Sequence, residues 1–198
     1  MAGHGQKNGE PGSTEERLLS AAVEVLAERG YRGATTREIA EAAEVNEVTL
    51  FRLFSTKDNL IAEALVQLAE SDQDLVPDAT GDVRADLERL TTLMADRLSE
   101  GGHLLMAVLP EITRLPEEQA DRVREAVGSS REAYMGLFRY YQDRGELNAR
   151  IGDDIWIAFM GPLLARLLYA EFHSTDLKLD SHQHVQLFLH GCGTGSAD

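Results

Sequence analysis

One cysteine, Cys192, leaves no partner for an internal disulfide and fits a reducing compartment, so the cytoplasm is the expected location. Aromatic residues make up only 6% of the chain and β-branched runs are nearly absent, which argues against a sheet-built core. Positive charge is also short: 19 Lys and Arg against 34 Asp and Glu leave a formal net charge of −15. That is the wrong sign for indiscriminate attachment to a polyanion. No basic-then-apolar leader opens the chain, so no secretion signal is expected. The long apolar stretch at residues 155–172 carries Arg166 and Glu171 and is interrupted by Pro162. An arginine at mid-bilayer costs about 2.5–3.5 kcal/mol, so this stretch reads as a packing helix and no membrane partner is expected.

Motifs that carry chemistry are missing as well. The sequence has no HExxH, CxxC, GxSxG or phosphate loop and no catalytic Cys–His pairing. His182, His184 and His190 are spaced by two and six, which does not bring ring nitrogens together on a helix. The expectation is therefore no catalytic residue, no metal and no cofactor.

What remains is helical pattern and helical punctuation. Residues 1–12 are glycine-rich and polar and read as a disordered tail. A helix starts at Ser13 or Thr14, with Ser13 and Glu16 as a capping box, and ends at Gly30. Two short helices follow. Ser55 and Asp58 are expected to cap a fourth helix running to about Glu70, and residues 71–81 form a connector. The spacing then predicts a helix over 82–100 stopped by Gly101-Gly102 and a short apolar helix over 103–113. Further helices are predicted over 117–144, 153–172 and, after a loop at 174–180, 181–190. The fold expected is all-α with about nine helices. Residues 13–55 read as a three-helix head, and residues 56–192 read as a helical bundle.

The densest signal is TTREIAEAAEVNEVTLFRLFSTK, residues 35–57. Thr35 and Glu38 form a capping box, and Asn46 is a good cap for the next helix. Leu50 and Phe54 lie four apart on one face of that helix, while Val48 and Arg52 lie on the other with Thr49 and Phe51 at its edges. Burying Val48, Leu50, Phe51 and Phe54 together would need apolar cover all around a very short helix. An exposed apolar face beside an arginine instead suits a helix that enters a major groove. Thr35, Thr36 and Arg37 open the preceding helix. Hydroxyls and amides there suit phosphate, and an arginine suits phosphate or a guanine edge, although Thr35 reads mainly as a cap. Val48 suits a thymine methyl and Arg52 guanine or phosphate, while Glu47 either accepts from a cytosine amino group or simply repels phosphate.

Residues 14–60 resemble the N-terminal domain of the TetR family of transcriptional repressors. The pieces that carry the resemblance are LLSAAVEVLAERGYRGATTREIA, AAEVNEVTLFRLF and STKDNL. It implies a homodimeric, ligand-responsive repressor on a pseudo-palindromic double-stranded DNA operator. The implied DNA-contacting residues are Thr35, Thr36, Arg37, Asn46, Glu47, Val48, Thr49, Phe51, Arg52 and Lys57. It also implies a small-molecule effector in the body. Candidate walls are Met94, Leu98, His103, Met106, Glu111, Tyr134, Phe138, Tyr141, Trp156 and Met160. The dimer would form through residues 153–172 and 181–190. Two departures stand out. Similar proteins usually carry tyrosine where Phe51 stands, and glycine where Glu44 stands in the turn. A side chain in left-handed geometry costs about 1–2 kcal/mol, so Glu44 is expected to avoid it. Counting residues 1–58 gives 7 Lys and Arg against 10 Asp and Glu, hence −3, with −12 of the −15 in the remainder. Two other classes fit the pattern less well: a helical adaptor that binds a protein through the Val48/Phe51 face, and a small helical enzyme.

Overall fold

The structure is a computed structural model that describes residues 12–71, 76–173 and 179–193. Among the described residues there are eight α-helices and no strand. They are α1 (Thr14–Gly33), α2 (Thr36–Ala42), α3 (Glu47–Phe54), α4 (Lys57–Glu70), α5 (Val83–Val108), α6 (Glu117–Asp143), α7 (Asp154–His173) and α8 (Ser181–Cys192). Two 3-10 turns, Leu109–Arg114 and Ala149–Ile151, flank α6. The expected tail at 1–12, the loop at 174–180 and part of the connector at 71–81 fall largely outside the described residues. No described helix is long and apolar enough to cross a membrane.

The chain divides into two compact units. The first holds residues up to 68 together with 107–124, and the second holds 69–106 and 125 onward. The core of the first is built from Leu18, Leu26, Ile39, Leu50, Leu60 and Ile61, all essentially inaccessible to solvent. Burial of each such side chain is worth about 1.5–3 kcal/mol. The apolar spacing of α1 and the paired Leu50 and Phe54 of α3 supply this core, and both capping boxes, Ser13–Glu16 and Thr35–Glu38, are formed.

The second unit packs around three phenylalanines from three helices. Phe138, Phe159 and Phe188 meet edge to face, with centroids 5.2 Å apart for Phe138–Phe159 and for Phe159–Phe188. Edge-to-face packing puts the positive ring edge on the negative ring face. Asp86 is the buried polar pin of this unit. It accepts from the Thr80 amide at 2.7 Å and the Thr80 hydroxyl at 2.6 Å, and also from the Tyr141 hydroxyl and Arg89.

Four local expectations are corrected. Helix α5 does not stop at Gly101-Gly102 but continues to Val108. Glycine inside a helix costs about 1 kcal/mol against alanine, and here it makes room: a Cβ on Gly102 would stand 2.7 Å from Leu167 Cδ2. The true stop is Pro110, which lacks the N–H that would continue the ladder, so the expected separate helix over 103–113 is instead the end of α5 followed by a 3-10 turn from Leu109. Gly30 ends the regular part of α1 at φ 67 and ψ 168, a region open only to glycine, yet one further turn reaches Gly33. Finally, Thr56 and not Ser55 caps α4, its hydroxyl accepting from the Asn59 amide at 3.1 Å.

Candidate nucleic-acid interface

The helix-turn-helix is assembled by local hydrogen bonding. At the end of α2 the Val45 amide donates to Ala40 O at 2.9 Å and the Glu44 amide to Glu41 O at 3.1 Å. This is a Schellman closure with Glu44 at its left-handed position. Glu44 therefore does adopt the strained geometry, at φ 55, against expectation. Two backbone bonds of about 0.5–1.5 kcal/mol each offset a strain of similar size.

Asn46 then caps α3, its Oδ1 accepting from the Val48 amide at 2.8 Å. Leu50 is fully buried and Phe54 nearly so, which fixes the rotation of α3. Val48 is consequently 73% exposed and Phe51 46% exposed. Arg52 is exposed on the same helix, and Thr49 is half-buried. Ser55 ends α3 at φ 66, and the Thr56 amide turns back to Phe54 O at 2.8 Å, a tight reversal into α4.

At the start of α2, Thr35 is occupied as a cap. Its hydroxyl accepts from the Glu38 amide at 3.2 Å. The Thr35 hydroxyl and amide hold the Glu38 carboxyl below its ordinary titration range. Thr36 donates its hydroxyl proton to Glu47 Oε1 at 2.5 Å, joining α2 to the first residue of α3. A hydroxyl has one proton to give, so in this state Thr36 has none left for phosphate. Arg37 is exposed and pairs with Glu41 at 2.8 Å, which raises its already high pKa.

Lys57 is drawn inward. Its Nζ donates to Tyr31 O at 2.7 Å and Ala34 O at 3.1 Å and lies 4.4 Å from the Tyr31 ring centroid. The ammonium carries a third N–H beyond these two bonds. Tyr31 is a residue the sequence reading left without a role. Its hydroxyl donates to Asp58 at 2.5 Å, and burial first, then Asp58, pushes its pKa up to about 12. Its amide donates to Glu111 Oε2 at 2.6 Å. The available signal was an aromatic residue directly after a helix-breaking glycine.

The residues expected to line an effector site divide. Met94, Tyr134, Phe138 and Tyr141 are buried in the core of the second unit, and Leu98, Trp156 and Met160 pack against it. Met106 is half-buried. Tyr134 and Trp156 stack at 5.1 Å and 14°. The Tyr141 hydroxyl is taken up by Asp86. Glu111 is not with these residues: it belongs to the first unit, where Tyr31 and Arg114 engage it. The side chain of His103 lies outside the described residues.

Comparison with known proteins agrees with this arrangement. Residues 18–64 match the tetR family of bacterial regulatory proteins, and residues 76–180 match a tetracyclin repressor-like C-terminal domain. The HTH-type transcriptional regulator YvkB of Bacillus subtilis is 38% identical over 85 residues, which is 43% of this chain and 45% of that protein. Rv1556, an HTH-type transcriptional regulator of Mycobacterium tuberculosis, is 29% identical over 153 residues, 77% of this chain and 75% of that one. The structure of the fatty acid degradation regulator FadR from Bacillus halodurans superposes with a TM-score of 0.72 at 20% identity, covering 92% of this chain and 95% of that one. The chain belongs to the TetR family of bacterial transcriptional regulators, DNA-binding proteins of the helix-turn-helix class.

Proposed function

We propose that this regulator is a homodimeric repressor that holds a pseudo-palindromic operator and releases it when a small molecule enters the body. The observation that carries the reading is the rotation of α3. Leu50 is fully buried while Val48, on the opposite face, is 73% exposed. That polarity suits a helix seated in a major groove, with Thr36, Arg37, Asn46, Glu47, Val48, Thr49, Phe51 and Arg52 toward the duplex and Lys57 adding its remaining N–H. The matched description of the C-terminal domain as repressor-like supports repression over activation. An operator partner also accords with a cytoplasmic regulator without catalytic activity.

Dimerisation through α7 and α8 is supported by their uncovered apolar residues. Ile157, Leu168, Tyr169 and Phe172 on α7 and Leu187 on α8 are between 51% and 84% exposed. Pairing this face with its symmetry mate would remove it from water, and a two-fold operator would offer successive major grooves about 34–36 Å apart to the two α3 helices. The effector reading rests on the match to a repressor-like C-terminal domain and on the apolar and aromatic side chains that the second unit gathers, Met94, Leu98, Met106, Tyr134, Phe138, Trp156 and Met160. Ligand and operator would weaken each other's binding by the same factor.

The test is selection of bound duplexes from a random pool, with sedimentation of the free protein. The expected result is a symmetric site bound by a dimer, lost in Arg52→Ala while that variant still sediments as a dimer. Selection of no duplex, or of an asymmetric site by a monomer, would overturn the reading.

A further inference from the structure

Glu47 opens α3, and its carboxylate is held in place. Oε1 accepts from the Thr36 hydroxyl at 2.5 Å, and Glu47 is half-buried beside the fully projecting Val48. A carboxylate at this position can only accept, and Oε2 keeps its lone pairs for another donor. The four bases differ sharply in what they offer to such a group in the major groove. Guanine presents two acceptors, and thymine presents one acceptor and a methyl. Adenine presents a donor beside the acceptor N7, and cytosine presents the N4 amino donor with no acceptor of its own. A fixed negative charge is repelled by the acceptors of guanine, thymine and adenine N7, so the wrong base leaves a desolvated charge without a partner. Arg37 lies within Coulombic reach of Glu47 and offsets part of its repulsion from the backbone phosphates.

We infer that Glu47 is a specificity-determining residue that accepts from the N4 amino group of one cytosine in each operator half-site, with Thr36 as the positioning residue that aims it. This rests on the DNA-reading role proposed above. It assigns the Thr36 hydroxyl to aiming Glu47 and not to the phosphate backbone.

The experiment is duplex selection with the full-length protein and with Glu47→Gln, Thr36→Val and Thr36→Ser, followed by titration of single-position variants of the selected site. Wild type is expected to require cytosine at one position per half-site, with about tenfold or greater loss when that C·G pair becomes T·A. Glu47→Gln keeps one oxygen, whose two lone pairs can accept from Thr36 and from adenine N6, and gains an N–H for N7, so its preference at that position should switch to adenine. Thr36→Val should flatten the preference there and nowhere else, and Thr36→Ser should retain it. A symmetric wild-type site whose preferences Glu47→Gln leaves unchanged at every position would remove Glu47 as a reader while leaving the DNA-reading role standing. A Thr36→Val variant as selective for cytosine as wild type would remove the positioning role. A wild-type protein that selects no duplex would overturn both readings.

Discussion

The main-chain N–H of Tyr31 donates to the Glu111 carboxylate at 2.6 Å, although the two residues lie 80 positions apart. Gly30 makes this bond available. Its φ of 67 and ψ of 168 turn the chain out of the α1 ladder, so the next amide needs an acceptor from elsewhere. Glu111→Ala should lower stability by about 1–3 kcal/mol in denaturant melts, because a partly buried donor is left unmet. Glu111→Gln, which keeps an acceptor oxygen, should lose less. Gly30→Ala should lose at least as much as Glu111→Ala, since only glycine is at ease in that region.

Glu44 sits at φ 55 in the turn before α3. Replacing it with glycine removes the Cβ strain but adds backbone freedom to the unfolded chain. The expected balance is a gain of about 0.5–1 kcal/mol, read as a higher melting temperature with the Leu50 and Phe54 packing intact. A loss of stability would mean that the Glu44 side chain makes a compensating contact.

Much of the head was legible because its rules are local. Thr35 with Glu38, Asn46 with Val48, and Leu50 with Phe54 all act within four residues, and each forms as the spacing requires. The unread features depend on distant partners. Gly101-Gly102 looks like a stop until Leu167 is seen packed where a Cβ would go. Lys57 looks like a DNA contact alone until the carbonyls of Tyr31 and Ala34 converge on it. Glu111 looks like a pocket residue until Gly30 frees an amide for it. Glu44 differs for another reason: the two backbone bonds of the Schellman closure offset a steric cost that the residue type alone suggests it should avoid.

Lys57 joins two roles that can be separated. Lys57→Met keeps the apolar stem but removes the donors to Tyr31 O and Ala34 O, so stability should fall by about 1–2 kcal/mol. If the third N–H also meets an operator phosphate, the slope of log affinity against log salt should drop by about 1 per subunit. A destabilised variant with an unchanged salt slope would confine Lys57 to the interior role.

Acid should act on the second unit through Asp86. Burial pushes its carboxyl up, but the bonds from Thr80 and Tyr141 and the charge of Arg89 outweigh this and hold it below the ordinary value. A folded-state value below the unfolded one gives stability that is present above about pH 3.9 and is lost as pH falls through the folded value. Tyr141→Phe removes one donor to a fully buried carboxylate. It should cost about 1–3 kcal/mol at pH 7. The gap to wild type should narrow on acidification, because a protonated carboxyl has less need of the donor. Melts at pH 7 and near pH 3 would show this, and a gap constant with pH would mean that Tyr141 contributes only packing.

Phe51 is 46% exposed on α3 beside the exposed Val48. Similar proteins usually place a tyrosine here, with a hydroxyl suited to a backbone phosphate. Phe51→Tyr adds that donor without adding charge. A neutral hydrogen bond is worth about 0.5–1.5 kcal/mol net, so operator affinity should rise about 2–10-fold per half-site. The proposed dimer would engage two half-sites, so the factor would multiply. The salt slope should stay the same, since no further cation meets phosphate. Fluorescence anisotropy on the selected operator at two salt concentrations separates the cases. Unchanged affinity would put the ring of residue 51 against a base step or in solvent, and away from the phosphate backbone.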